Sequence, residues 1–348
     1  MIDEWQLVPG LWNAVRREVD SRGLDGQFIL TGSAAPADDA TRHSGAGRFS
    51  RLRLRTMTLA ESGLSTGEVS LAALLGGQAP PPGHSEVALG DLIGEVCHGG
   101  WPADRHRPLA QARANVGDYV QEVVHADIRL ADGVRHDPIR VLDVMRALAR
   151  NTATAARATT LAADASAGLT AVADETVGAY IRALRRVMIL EPLPAWSPVL
   201  RSKARVRTSP KHHFVDPAIS ACLLAAGPDE LRRDLKTFGF LFESLAIRDL
   251  RVYAEAAGAR VLYYRDSNGL EVDAIVDGGY GRWGAFEIKL GGAASVIDQA
   301  AANLLDFADE VDTQSAGRPR VLAVVTAEGY AHLRPDGVAV IPITALGP

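Results

Sequence analysis

The sequence predicts an α/β protein in three parts, and three observations predict it. In residues 1–76 short apolar runs with polar ends alternate with one helical stretch. Residues 86–225 carry mostly helical apolar spacing, after a breaker-rich linker at 77–85. Residues 226–348 hold a helix, three strands separated by explicit turns, a second helix and two further strands.

The bulk numbers bound the function. A length of 348 residues suits two or three compact units. Hydrophobic content of 47% against 23% charged residues is ample for sizeable cores. A formal net charge of -5 excludes a chain that is basic throughout, so contact with DNA needs a local patch. Cys97 and Cys222 stand far apart with no CxxC or CxxxH partner, as expected of reduced thiols in a cytoplasmic protein. No apolar run approaches the roughly 20 residues that span a bilayer, and no signal peptide is legible, so no membrane partner is expected. Of 37 basic residues only Lys203, Lys211, Lys236 and Lys289 are lysine. A lysine here is an uncommon choice.

The chain opens "MIDEWQ", an apolar stub ending in Asp3 and Glu4. "GLWNAVRREVD" then places Leu11, Trp12, Val15 and Val19 at helical spacing. "FILTGS" reads as a buried strand, Phe28 to Thr31, tipped by Thr31 and Ser33. After a polar loop with Arg48, "RLRLR" alternates Leu52 and Leu54 with Arg51, Arg53 and Arg55, a strand with a basic edge. "GGQAPPPGHSE" breaks the chain. Helices follow in "LGDLIGEVCHGG", "PIRVLDVMRALAR" and "DETVGAYIRALRR", the last with Arg182, Arg185 and Arg186 opposite its apolar face. Those arginines either read nucleic acid or are simply solvated. Asp216 and Pro217 start a further helix.

The richest chemistry lies between Phe240 and Leu290. "TFGFLFESLAIRDLRVYAEAAG" is a helix with Glu243 near its apolar stripe. "DSNG" and "GGYG" then separate three antiparallel strands at about 260–265, 270–277 and 283–290. In "LEVDAIVD" strict alternation puts Glu271, Asp273 and Asp277 on one side and Leu270, Val272, Ala274 and Val276 on the other. In "AFEIKL" Glu287 and Lys289 share a side. With neighbouring strands about 4.8 Å apart, Asp273 and Glu287 converge if the register matches, with Lys289 beside them. The competing reading is a solvated strand face. "SVIDQAAANLLDFADE" follows as a helix, then strands at Val321 to Thr326 and Val338 to Ile343.

These segments carry three resemblances. The first third, an acid-ended strand, a helix, a strand ending Thr-Gly-Ser and a Gly-Arg loop, resembles the second half of an AAA-type P-loop ATPase core. That resemblance implies nucleotide-site roles for Asp3, Glu4, Thr31 or Ser33, and Arg48. No GxxxxGK[ST] phosphate loop occurs in the sequence, so ATP binding is expected only in full-length relatives, and the chain is expected to be a shortened member. The middle third resembles a winged helix-turn-helix. It implies groove contacts by Arg182, Arg185 and Arg186 and a basic wing of Arg201, Lys203, Arg205, Arg207 and Lys211. An acid on one strand with Glu-x-Lys on the next resembles the PD-(D/E)xK nuclease fold, a restriction-endonuclease-like α/β sheet. That likeness implies Mg²⁺ on Asp273 and Glu287, Glu243 completing the acid cluster, Lys289 beside the attacking water and Gln299 on phosphate.

Together "IDEWQ", "FILTGS", "GAGRF", "FLFESL", "GLEVDAIVD" and "AFEIKLG" resemble one prokaryotic family: AAA-type ATPases with a C-terminal domain of unknown function, comprising a winged helix and a nuclease-like sheet. The expected function is Mg²⁺-dependent phosphodiester hydrolysis linked to DNA. The alternative is a non-catalytic DNA- or protein-binding module on the same folds, with a partner protein or a second copy as further possible partners.

Overall fold

The computed structural model describes residues 1–8, 10–33, 45–128, 136–166, 173–198 and 209–348. At the start, Ile2 bridges Leu30 in parallel, with the Thr31 amide donating to the Ile2 carbonyl at 2.9 Å. This single bridge replaces the expected strand over Phe28 to Thr31. Helix α1 (Gly10–Arg22) buries Trp12 and Val15, and Trp12 stacks on Phe49 with centroids 3.9 Å apart. The expected strand over 51–55 does not form. Leu52 and Leu54 are exposed there, while Arg53 and Arg55 reach across to Glu191 at 3.3 and 2.8 Å. Alternation was real, but ion pairs and not strand pairing satisfy this segment.

Residues 59–84 pack with the distant C-terminus. Strand β1 (Val69–Ser70) pairs in parallel with β11 (Leu346–Gly347), and helix α2 (Leu71–Leu75) buries Leu71, Leu74 and Leu75. The expected linker contains β2 (Gly83–His84), which joins the main sheet as an edge strand. Pairing partners some 250 residues away left no local signal.

The middle is helical as expected: α3 (Leu89–His98), α4 (Leu109–Glu122), α5 (Pro138–Arg150), α6 (Ala158–Ala165) and α7 (Asp174–Arg186). Val141, Val144, Met145 and Leu148 of α5 are buried together with Val177 and Leu184 of α7. Arg182 and Arg185 are exposed and Arg186 is half-buried. A hairpin follows, β3 (Leu190–Leu193) against β4 (Lys211–Phe214). The wing residues Arg201, Lys203, Arg205 and Arg207 lie outside the described residues. Helix α8 (Pro217–Leu223) starts where Asp216 accepts from the Ala218 amide at 2.9 Å, and α9 (Pro228–Arg233) leads into the C-terminal part.

There α10 (Leu235–Ala256) is followed by β5 (Arg260–Arg265), β6 (Glu271–Asp277), β7 (Trp283–Lys289), α11 (Ala294–Glu310), β8 (Val321–Thr326), β9 (Tyr330–Leu333) and β10 (Ala339–Pro342). The sheet order is β2-β9-β10-β8-β7-β6-β5. Strands β5, β6 and β7 are antiparallel neighbours, and β7 pairs in parallel with β8. One sheet face packs on α10 through Phe242, Leu245, Phe286 and Ile288. The other packs on α11 through Ala285, Leu304, Phe307 and Val324. Each fully buried Phe or Leu contributes roughly 1.5–3 kcal/mol. No helix among the described residues is long and apolar enough to cross a membrane.

Candidate functional site

The site grows from a break in alternation. On β5 and β6, Leu262 faces Ile275 but Tyr264 faces Val272, so Tyr263 opposes both Asp273 and Ala274. One extra residue in β6 makes a bulge, and a bulge re-aims side chains. Val272 therefore packs with Ile275 on the α11 side, while Ala274 and Val276 pack on the α10 side. The expectation that Val272, Ala274 and Val276 share one face is corrected accordingly. Asp277 also leaves the group, pairing with Arg260 at 3.0 Å.

Beyond Ala274 and Phe286 the β6–β7 ladder stops. The Asp273 carboxylate enters the gap and accepts the Ile288 amide at 2.8 Å. Glu287 and Lys289 project on the α11 side, where the Asn303 amide donates to Glu287 Oε1 at 2.5 Å and to the Glu271 carbonyl at 2.8 Å. Lys289 Nζ lies 3.0 Å from Asp273 Oδ2 and 2.5 Å from Glu287 Oε2. An open cleft of about 540 Å³ exposes this corner, lined by Glu271, Asp273, Glu287, Lys289, Gln299 and Asn303.

Glu243 enters from α10 and does not line the cleft. Its partner is Lys211 of β4, at 3.0 Å. Lys211 also lies 2.7 Å from Glu271 and 3.8 Å from Asp273. Two of the four lysines thus meet at one acid cluster. The basic-wing expectation for Lys211 is corrected, because its ammonium is buried among these acids; the scarcity of lysine is the one sequence signal that could have singled it out.

Burial and the facing Asp273 carboxylate raise the pKa of Glu243, against the pull of Lys211. Burial and the nearby Asp273 charge likewise raise Glu287, against Lys289. Burial alone would raise Asp273, but Lys289, Lys211 and the Ile288 amide bring it below the usual range. Asp273 is the fixed anion of the cluster, and the two glutamates retain protons more readily.

The donors are hard carboxylate oxygens, and Asp273 and Glu287 meet at the Lys289 ammonium, which suits a Mg²⁺ ion held by one or two carboxylates plus water. The expected third ligand is not in place. Among the described residues no group of three or more His, Cys, Asp or Glu is spaced to hold a metal, and Glu243 is engaged by Lys211.

The N-terminal candidates assemble only in part. Thr31 donates to Asp3, and Ser33 donates to Glu4 at 3.1 Å, so the two segments meet just beyond the Ile2–Leu30 bridge. Arg48 instead pairs with Asp20 of α1 at 2.5 Å.

Two segments of the chain match known families. Residues 90–230 are similar to a domain of unknown function (DUF8612), and residues 238–346 to another domain of unknown function (DUF4143). No curated protein matches the chain. No solved structure matches it either.

Proposed function

We propose that the C-terminal third is a PD-(D/E)xK nuclease-like domain that hydrolyses DNA phosphodiesters with Mg²⁺. The observation that carries this reading is the convergence of Asp273, Glu287, Lys289 and Gln299 in one open cleft, where β6 and β7 part. The order helix, three antiparallel strands, helix, parallel strand around that cleft supports the same fold. The segment matching DUF4143, a domain often following AAA-like ATPase regions, agrees with the family resemblance. ATP hydrolysis is not part of the proposal, because the sequence has no GxxxxGK[ST] loop to cradle a triphosphate.

Asp273 and Glu287 would hold the ion. A bound Mg²⁺ supplies charge neutralisation at phosphorus and a more acidic water. Lys289, one-third exposed at the cleft wall, would orient an attacking water and offer positive charge to the attacked phosphate. Gln299 offers a neutral donor to a neighbouring phosphate oxygen. Asn303 fixes the Glu287 rotamer. The Ile288 amide keeps Asp273 ionised and aimed.

Mg²⁺-dependent nicking of supercoiled plasmid tests the reading. The wild type nicks with Mg²⁺ and not with EDTA, and Lys289→Ala is slower by about 100-fold or more. A second reading, a non-catalytic DNA- or protein-binding module, is favoured by the Lys211 ion pairs, which neutralise part of the acid cluster internally. Absence of nicking in both proteins, with gel-shift binding lost on substituting the exposed Arg182 and Arg185, selects it.

A further inference from the structure

We infer that Lys211 is the built-in cation of the acid cluster: its ammonium stands between Glu243 and Glu271 in place of a second cation, and so limits the cleft to one ion. This rests on the reading of Asp273 and Glu287 as a Mg²⁺ site. Lys211 is 1% exposed, and its ammonium carries three donors. Two carboxylates accept from it, Glu243 at 3.0 Å and Glu271 at 2.7 Å, and Asp273 lies 3.8 Å away. The Tyr263 ring, 5.5 Å from Nζ, closes another side.

The lysine is held there through both strands of its hairpin, at the end where Leu193 pairs with Lys211. The Tyr263 hydroxyl donates to the Ser209 carbonyl at 2.5 Å, two residues before Lys211. Just beyond β3, the Tyr263 amide donates to the Pro194 carbonyl at 3.0 Å, and the Trp196 amide to the Tyr263 carbonyl at 2.6 Å. Tyr263 is the residue that faces the β6 bulge, so the feature that aims Asp273 also seats Lys211. A divalent ion entering between Glu243 and Glu271 would meet a fixed ammonium at contact distance, and like charges repel strongly where water is excluded. Glu243 is thereby removed from the ligand set. The cation comes from outside the segment 238–346, so the neighbouring segment 90–230 completes the C-terminal site.

Mn²⁺ binding to the full chain, counted by calorimetry and by electron paramagnetic resonance, tests this. The wild type and Lys211→Arg bind one ion per chain, and Lys211→Met binds two. Glu243→Gln, which keeps the shape of the side chain, leaves the Kd of the wild-type ion within about threefold, because Glu243 is not its ligand. One ion in Lys211→Met, or two in the wild type, overturns the inference and leaves the cleft reading intact. A tenfold or greater loss of affinity in Glu243→Gln also overturns it, and serves alone if Lys211→Met does not fold. No ion in the wild type overturns the cleft reading and this inference with it.

Discussion

Two buried charge clusters share α10 and finish differently. At Arg248 one guanidinium serves two fully buried carboxylates, bonding Asp249 through Nε at 2.8 Å and Asp216 through Nη1 at 3.0 Å. The unmatched negative charge is answered by backbone amides: Leu59 donates to Asp249, and Gly100 and Ala218 donate to Asp216. Around Asp273 two ammonium groups serve Glu243, Glu271, Asp273 and Glu287, with Arg265 3.7 Å from Glu271 at the rim. Here the Ile288 amide and the Asn303 side chain answer only part of the remainder, and the rest faces an open cleft. A remainder closed by backbone makes a staple. One left facing a cleft is what the proposed Mg²⁺ site would draw on.

Arg248→Ala leaves two carboxylates buried without a cation and is expected to cost about 3–5 kcal/mol in urea unfolding. A loss under 1 kcal/mol would mean that the backbone amides suffice and that the Arg248 cluster is no staple.

Glu191 extends the closed type. Burial alone would raise its pKa, but the hydrogen bond from Arg55, with Arg251 and Arg53, brings it from 4.5 down to about 2. A depressed carboxyl stabilises the fold above its unfolded pKa and loses that contribution as pH falls through the folded one. Stability is therefore expected to drop by on the order of 3 kcal/mol between pH ~5 and ~2, with a shallower slope in Glu191→Gln. Parallel slopes would remove Glu191 from the account.

Asp137→Ala touches neither cluster. It removes the side chain that caps α5 through the Ile139 amide at 3.0 Å, and about 1 kcal/mol of stability should go with it. Plasmid nicking should stay at the wild-type rate.

Glu287→Gln should have the smallest effect on folding and the opposite sign. A raised carboxyl opposes folding as pH climbs above its unfolded value, so at pH ~8 the amide variant is as stable as the wild type, or up to ~1 kcal/mol more stable. Nicking is lost nonetheless. Destabilisation beyond 2 kcal/mol would place Glu287 with the staple.

Much of this contrast was legible in the sequence, for local reasons. The "DSNG" turn fixes itself, since Asp266 accepts the Asn268 and Leu270 amides at 2.8 and 2.9 Å and Gly269 takes a φ of 97°. Alternation in "AFEIKL" then placed Glu287 and Lys289 correctly. The bulge at Asp273 and Ala274 was not legible, because period-two reading assumes an unbroken ladder. Lys211 was missed because its partners lie on α10 and β6, 32 residues or more downstream. "RLRLR" misled because alternation records two different sides, not a neighbouring strand.

Anomalous scattering from crystals soaked in Mn²⁺ tests the central claim most directly. The account requires a single peak in contact with the carboxylates of Asp273 and Glu287, with Lys211 still seated on Glu243. A map with no peak at that pair, and Lys289 still bridging both acids, would contradict it.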